Sequence, residues 1–164
     1  MSIAEGGCLC GEIRYGVSNP PLRVTLCHCR FCQRATGGAY LVEPIFSKSD
    51  FTMLKGQPKQ YDHRSTGSKQ MVHVHFCENC GTKINLSFER FPDVVGLFGG
   101  TFDNPDWFER SPTNSKHIFL AFAQDGTVIP AGFDTFDNHA ITNDGTPIAP
   151  SVFQNPNQIK KNRN

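Results

Sequence analysis

Apolar and polar residues alternate along short stretches of this chain, and no long stretch repeats with the 3.6-residue period of an amphipathic helix. MVHVHF (71–76) and KINLSF (83–88) show the alternation most plainly. Seven further runs have strand character: EIRYGV (12–17), LRVTLC (22–27), AYLVEPIF (39–46), DFTMLKG (50–56), KQYDHR (59–64), VVGLFG (94–99) and HIFLAFA (117–123). Turn-forming clusters separate the runs: SNPP, KGQPK, STGSK, NPDW, QDGT and NDGTP. Only CRFCQRATG (29–37) reads as a helical turn. The pattern predicts a mainly β fold, and fourteen phenylalanines spread along the runs suit a β-sandwich core.

The alternation fades after Gly132. Residues 1–132 therefore read as the folded domain, and 133–164 as an irregular C-terminal extension. Phe133, Phe136, Ile141 and Phe153 are its candidate anchors. The last stretch, QIKKNRN (158–164), reads as a frayed terminus rather than a nucleic-acid-binding arm.

Composition narrows the class. A chain of 164 residues, 38% hydrophobic, can bury one core. No run approaches the ~20 apolar residues that span a bilayer. The opening MSIAEGGCLCGE lacks the basic and apolar regions of a secretory signal, which points to the cytoplasm and to reduced thiols. A net charge of +1 argues against nucleic acid as a partner. The small charge and strand-rich edges are compatible with a homodimer.

Seven cysteines change the picture most. They fall into three groups: Cys8 and Cys10; Cys27, Cys29 and Cys32; Cys77 and Cys80. An odd number excludes a full set of internal disulfides, and clustered spacings read as metal sites. Along a strand, residues i and i+2 share a face, so Cys8 and Cys10 can present two sulfurs to one ion with Leu9 opposite. Cys27 and Cys29 can do the same around His28. In CENCG the chain turns between ligands, and Gly81 can take a positive φ cheaply. Thiolates at this density favour zinc over magnesium or calcium, with iron–sulfur ligation as the lesser alternative.

The grouping suggests a division of labour. Cys8, Cys10, Cys77 and Cys80 add up to a closed, structural four-thiolate zinc site. Cys27, Cys29 and Cys32 leave an open position, as catalytic zinc does. His28, His73, His75 and His117 are the candidates for a protein fourth ligand. Strand alternation turns His28 away from its neighbours, and each of the four is more readily a surface or hydrogen-bonded histidine.

The stretches GGCLCGEIRY, LCHCRFCQRATGGAY, FCENCGTKI and GGTFDNP together resemble the glutathione-dependent formaldehyde-activating enzyme family, whose relatives include the centromere protein V group. The resemblance runs from about Gly6 to Ala123. It implies an Mss4-like, zinc-stapled β fold with two zinc ions per chain. A structural zinc would be held by Cys8, Cys10, Cys77 and Cys80, and a second zinc by Cys27, Cys29 and Cys32. Many relatives carry a Trp some residues after the His-Ile pair; here His117-Ile118 is present, and the only Trp is Trp107, upstream. The tail after Gly132 also departs from the family's short ending.

The expected activity is a zinc-dependent carbon–sulfur lyase acting on adducts of glutathione, or another small thiol, with an aldehyde such as formaldehyde. Its proton shuttle would be His28, His75 or His117. The alternative is a non-catalytic zinc-binding module that carries a thiol or binds a protein partner.

Overall fold

The structure, a computed structural model, describes residues 1–161. It is mainly β, with one short helix, α1 (Arg30–Thr36), and three single 3-10 turns among the described residues. The strands are β1 (Ala4–Gly7), β2 (Arg14–Val17), β3 (Arg23–Cys27), β4 (Leu41–Ser47), β5 (Phe51–Lys55), β6 (Lys59–Arg64) and β7 (Met71–Phe76). They continue with β8 (Lys83–Phe88), β9 (Val94–Leu97), β10 (Ser115–Ile118), β11 (Val128–Ile129), β12 (Asp134–Thr135), β13 (Ser151–Val152) and β14 (Asn157–Gln158). Strands β6, β7 and β8 occupy the runs that alternation predicts, residue for residue.

The chain divides into two compact units. The first comprises residues 1–23 and 43–109, and the second residues 24–42 and those from Arg110 onward. In the first unit, β1, β2 and β5 form a three-stranded antiparallel sheet. Strands β4, β9, β8, β7 and β6 follow one another in a second antiparallel array. Aromatic rings join the two. Tyr15 is fully buried and meets Phe102 edge-on at 5.3 Å, and Phe102 lies 6.1 Å from Phe46. Gly6 pairs with Tyr15 across β1 and β2, and a Cβ there would fall 2.4 Å from the Tyr15 hydroxyl and the Thr101 carbonyl. The glycine before the first cysteines is therefore fixed by close packing.

In the second unit, β10 lies between β3 and β12, parallel to both, and β13 pairs antiparallel with β12. The run HIFLAFA yields a strand only to Ile118. Phe119 adopts φ 61°, a left-handed conformation that stops the strand, and a 3-10 turn follows at Leu120–Phe122.

Residues beyond Gly132 carry more structure than fading alternation implies. Phe133 and Phe136 are buried. Phe153 and Ile159 pack against a cluster of Leu120, Ala123 and Ile129. The expected fray at 158–164 is corrected over its first half. Gln158 belongs to β14, the Ile159 amide donates to Thr127 O at 2.8 Å, and the Lys161 amide donates to Asp125 Oδ1 at 2.9 Å. Apolar Ile159 supplies the anchor that the polar sequence around it hides. Residues 162–164 lie outside the described residues.

Candidate metal centres

Two groups of cysteines converge, and they are the two that spacing predicts. The sulfurs of Cys8, Cys10, Cys77 and Cys80 lie within 4.8 Å of one another, as do those of Cys27, Cys29 and Cys32. Among the described residues, no histidine or carboxylate joins either group at that spacing.

The four-cysteine group belongs to the first unit and stands on two tight turns. Cys8 and Cys10 do not lie on a strand; they sit in the turn that links β1 to β2. Gly11, at φ 72°, closes it by donating its amide to Cys8 O at 3.1 Å. Cys77 and Cys80 sit in the turn between β7 and β8, where Gly81, also at φ 72°, donates to Cys77 O at 2.8 Å. The turns, rather than strand alternation, bring the sulfurs together. Cys10 Sγ lies 3.4 Å from Cys8 Sγ and 3.6 Å from Cys77 Sγ. Those separations are far beyond a ~2.05 Å disulfide. They approach the ~3.8 Å edge of a tetrahedron with ~2.3 Å zinc–sulfur bonds. The Ile13 amide donates to Cys8 Sγ at 3.2 Å, and the Thr82 hydroxyl lies 3.1 Å from Cys80 Sγ, drawing that thiol down to about 5. Donors of this kind favour thiolates.

The three-cysteine group lies in the second unit, where β3 runs into α1. Cys27 ends β3, and Cys29 is the N-cap of α1, extended at φ −64° and ψ 157°. Its sulfur accepts the Cys32 amide at 3.3 Å. The predicted helical turn is a seven-residue helix, closed by Gly37 at φ 71°. Hydrogen bonds from Cys27 and Cys32 draw the Cys29 thiol down to about 3, against burial. Cys32 is pushed well up by its bonds to Cys27 and Cys29 and by burial. The group thus favours a thiolate at Cys29 beside a thiol at Cys32.

Buried polar side chains surround this second group. His28 is fully buried, and its Nε2 lies 3.0 Å from His117 Nδ1. The rings stack at 5.3 Å, with Tyr40 against His28 and Phe133 edge-on to His117. Register explains the meeting, because Ile118 pairs with Cys27 and the His28 amide donates to Ile118 O at 3.0 Å. Burial, then the neighbouring His117, pushes His28 down to about 4, and burial does the same to His117. Both rings are neutral at neutral pH. His28 Nδ1 and His117 Nε2 are buried without a protein partner. Gln33, on α1, donates Nε2 to His28 O at 2.6 Å and to Phe122 O at 2.8 Å.

The other histidines weighed as ligands find ordinary partners in the first unit. His73 Nδ1 meets Asp62 Oδ1 at 2.7 Å, and His75 Nε2 meets Ser87 Oγ at 2.9 Å. Trp107 packs with Phe46, Phe102 and Phe108. Nothing in the cysteine spacing indicates Gln33 or the His28–His117 pair. The pair is 89 residues apart in sequence, and only strand register unites it.

A family model described as the glutathione-dependent formaldehyde-activating enzyme matches residues 3–121. The chain belongs to this family. The match spans all seven cysteines, His28, Gln33 and His117. A Halomonas elongata protein provisionally named a glutathione-dependent formaldehyde-activating enzyme is 23% identical over 139 residues, covering 73% of this chain and 88% of that protein. A crystal structure of a Rhodobacter sphaeroides protein, 20% identical, covers 61% of this chain and 88% of its own, with a TM-score of 0.49. The family is named for an enzyme of glutathione and formaldehyde chemistry. No helix among the described residues is long and apolar enough to cross a membrane.

Proposed function

We propose that this protein is a zinc-dependent carbon–sulfur lyase, acting on adducts of glutathione or a similar small thiol with formaldehyde or another small aldehyde. The observation that carries the reading is three converging sulfurs with no fourth protein donor at their spacing among the described residues. Three protein ligands with an exchangeable fourth position is the arrangement of catalytic zinc. The donor sets fit zinc at both groups, because sulfurs dominate and their separations suit a tetrahedron.

Cys8, Cys10, Cys77 and Cys80 would hold a structural zinc, and Cys27, Cys29 and Cys32 the reactive one. Bound to the trio, zinc supplies a soft acid that lowers the pKa of a substrate thiol and stabilises a leaving thiolate. In the direction of addition the thiol S–H proton leaves, the sulfur bonds to the aldehyde carbon, and the carbonyl oxygen gains a proton; cleavage of the adduct reverses each step. Nothing is oxidised or reduced. The neutral His28–His117 pair suits the proton movement. One N–H bridges His28 Nε2 and His117 Nδ1, so a proton taken up at one outer nitrogen, His28 Nδ1 or His117 Nε2, is balanced by one released at the other as the bridging proton shifts, and both rings end neutral. The low net charge and reducing chemistry fit a cytoplasmic protein acting on small molecules.

Zinc X-ray absorption tests the reading, because zinc–sulfur bonds are ~2.3 Å and zinc–oxygen bonds ~2.0–2.2 Å. Two zinc ions per chain are expected, and adding glutathione should convert an oxygen ligand at the trio into a sulfur. A histidine nitrogen in that position, unmoved by thiol, would favour a closed, non-catalytic module instead.

A further inference from the structure

Gln33 is 4% exposed and follows Cys32 directly. Its position is costly unless every polar atom is engaged. All of them are. Nε2 donates to His28 O at 2.6 Å and to Phe122 O at 2.8 Å. Oε1 accepts from Arg30 and from Gln124 Nε2, the latter at 3.3 Å. His28 O belongs to the residue between Cys27 and Cys29. Phe122 closes the 3-10 turn that left-handed Phe119 begins. One amide therefore ties the middle of the CHC sequence to a turn 89 residues beyond Gln33. The backbone between two of the three sulfurs cannot rotate without breaking one of those bonds.

We propose that Gln33 is a positioning residue of the second metal centre, holding the His28 carbonyl so that Cys27, Cys29 and Cys32 converge before an ion arrives. The role rests on the reading of the trio as a metal site. It requires no contact between Gln33 and the metal or the substrate. Its signature is affinity: partners that orient metal ligands typically change affinity by about 10–100-fold when removed. The two donated bonds carry the effect, so replacements that keep the volume but cannot donate should suffice. Gln33→Met has neither donor nor acceptor. Gln33→Glu keeps acceptors for Arg30 and Gln124, yet as a carboxylate donates to neither carbonyl.

The experiment is competition for zinc with a chromophoric chelator, on the full chain, for wild type, Cys29→Ser, Gln33→Met and Gln33→Glu, with melting curves alongside. Wild type should hold two zinc ions and Cys29→Ser one. Both Gln33 variants should keep the tighter, four-cysteine zinc at wild-type affinity while the second weakens by about 10–100-fold. Two results overturn the role of Gln33. One is a second zinc held within about twofold of wild type, well inside the range expected of such partners. The other is equal weakening at both centres together with a lowered melting temperature, which marks a merely structural residue. A wild type that binds one zinc, unchanged by Cys29→Ser, overturns the reading of the trio itself and the proposal with it.

Discussion

Cys8 and Cys77 are buried, Cys80 is half-buried and Cys10 exposed, and the turns that carry them offer mainly backbone amides and the Thr82 hydroxyl. Around the trio the setting is different. Two of its sulfurs, those of Cys27 and Cys32, are buried as two of the other group's are, but with them lie buried polar side chains: His28 at 0% exposure, His117 at 3% and Gln33 at 4%. Burying three polar side chains costs free energy even when they are hydrogen-bonded, and two of their ring nitrogens have no protein partner. A staple needs no such surroundings; sulfurs on two turns suffice. Polar groups retained in a buried setting beside an incomplete ligand set are what a reaction site requires. The contrast supports the proposed division between a centre that serves the fold and one that serves chemistry.

The largest effect should come from breaking the comparison at its sulfurs. Cys80→Ser should remove one zinc and unfold or aggregate the chain, because structural zinc contributes on the order of 10 kcal/mol to small domains. Cys29→Ser should also remove one zinc, yet leave the melting transition of the first unit close to wild type while abolishing turnover. Zinc analysis and calorimetry check both. If the two variants melt alike, or if Cys80→Ser melts like wild type, the division between the centres is lost.

A smaller effect should follow pH at the second centre. His28 and His117 are each depressed to about 4 from an ordinary value near 6.5. Below 6.5 the unfolded chain takes up protons at these residues while the folded chain does not. Their contribution is therefore present above about 6.5 and is lost as pH falls toward 4, on the order of a few kcal/mol. Imidazole NMR should show two of the six histidines unprotonated to about pH 4. All six titrating near their ordinary value would remove the neutral pair from the reaction scheme.

The cysteines were the most legible part of the chain. Cysteine spacing separates the two groups without any knowledge of the fold, and the period-two pattern of β6, β7 and β8 sets their bounds. Less legible was how the sulfurs converge. Cys8 and Cys10 suggest one face of a strand, but Gly11 at positive φ makes a turn of them. Strand β1 escaped because AEGG has almost no side chains to alternate. Strands β11 to β14 have two residues each, too short to show a period. Phe119 ended β10 by a backbone conformation that an apolar run gives no reason to expect. The shell of His28, Gln33 and His117 depends on pairings across 89 residues, which a local pattern does not carry.

The smallest expected effect sharpens the comparison most. Gly81 follows the last cysteine of the four-cysteine group, and Gly37 closes the helix that starts at Cys29. Their φ angles are 72° and 71°, and a Cβ on either would meet nothing within 4 Å. Alanine at either position therefore adds no clash, only left-handed backbone strain of about 1 kcal/mol. For a chain of this size that is a drop of roughly 2–4 °C in melting temperature. The consequences for metal should nonetheless differ. Gly81 donates to Cys77 O, so relaxing its strain rotates the turn that aims both Cys77 and Cys80. Gly37 donates to Gln33 O at the opposite end of α1 from Cys29, and strain there can be released by fraying the last turn. Gly81→Ala should weaken the structural zinc measurably, whereas Gly37→Ala should leave the second zinc at wild-type affinity. Chelator competition reads both. A Gly37→Ala protein that loses the second zinc would mean that the helix as a whole, rather than its first turn and Gln33, sets the geometry of the trio.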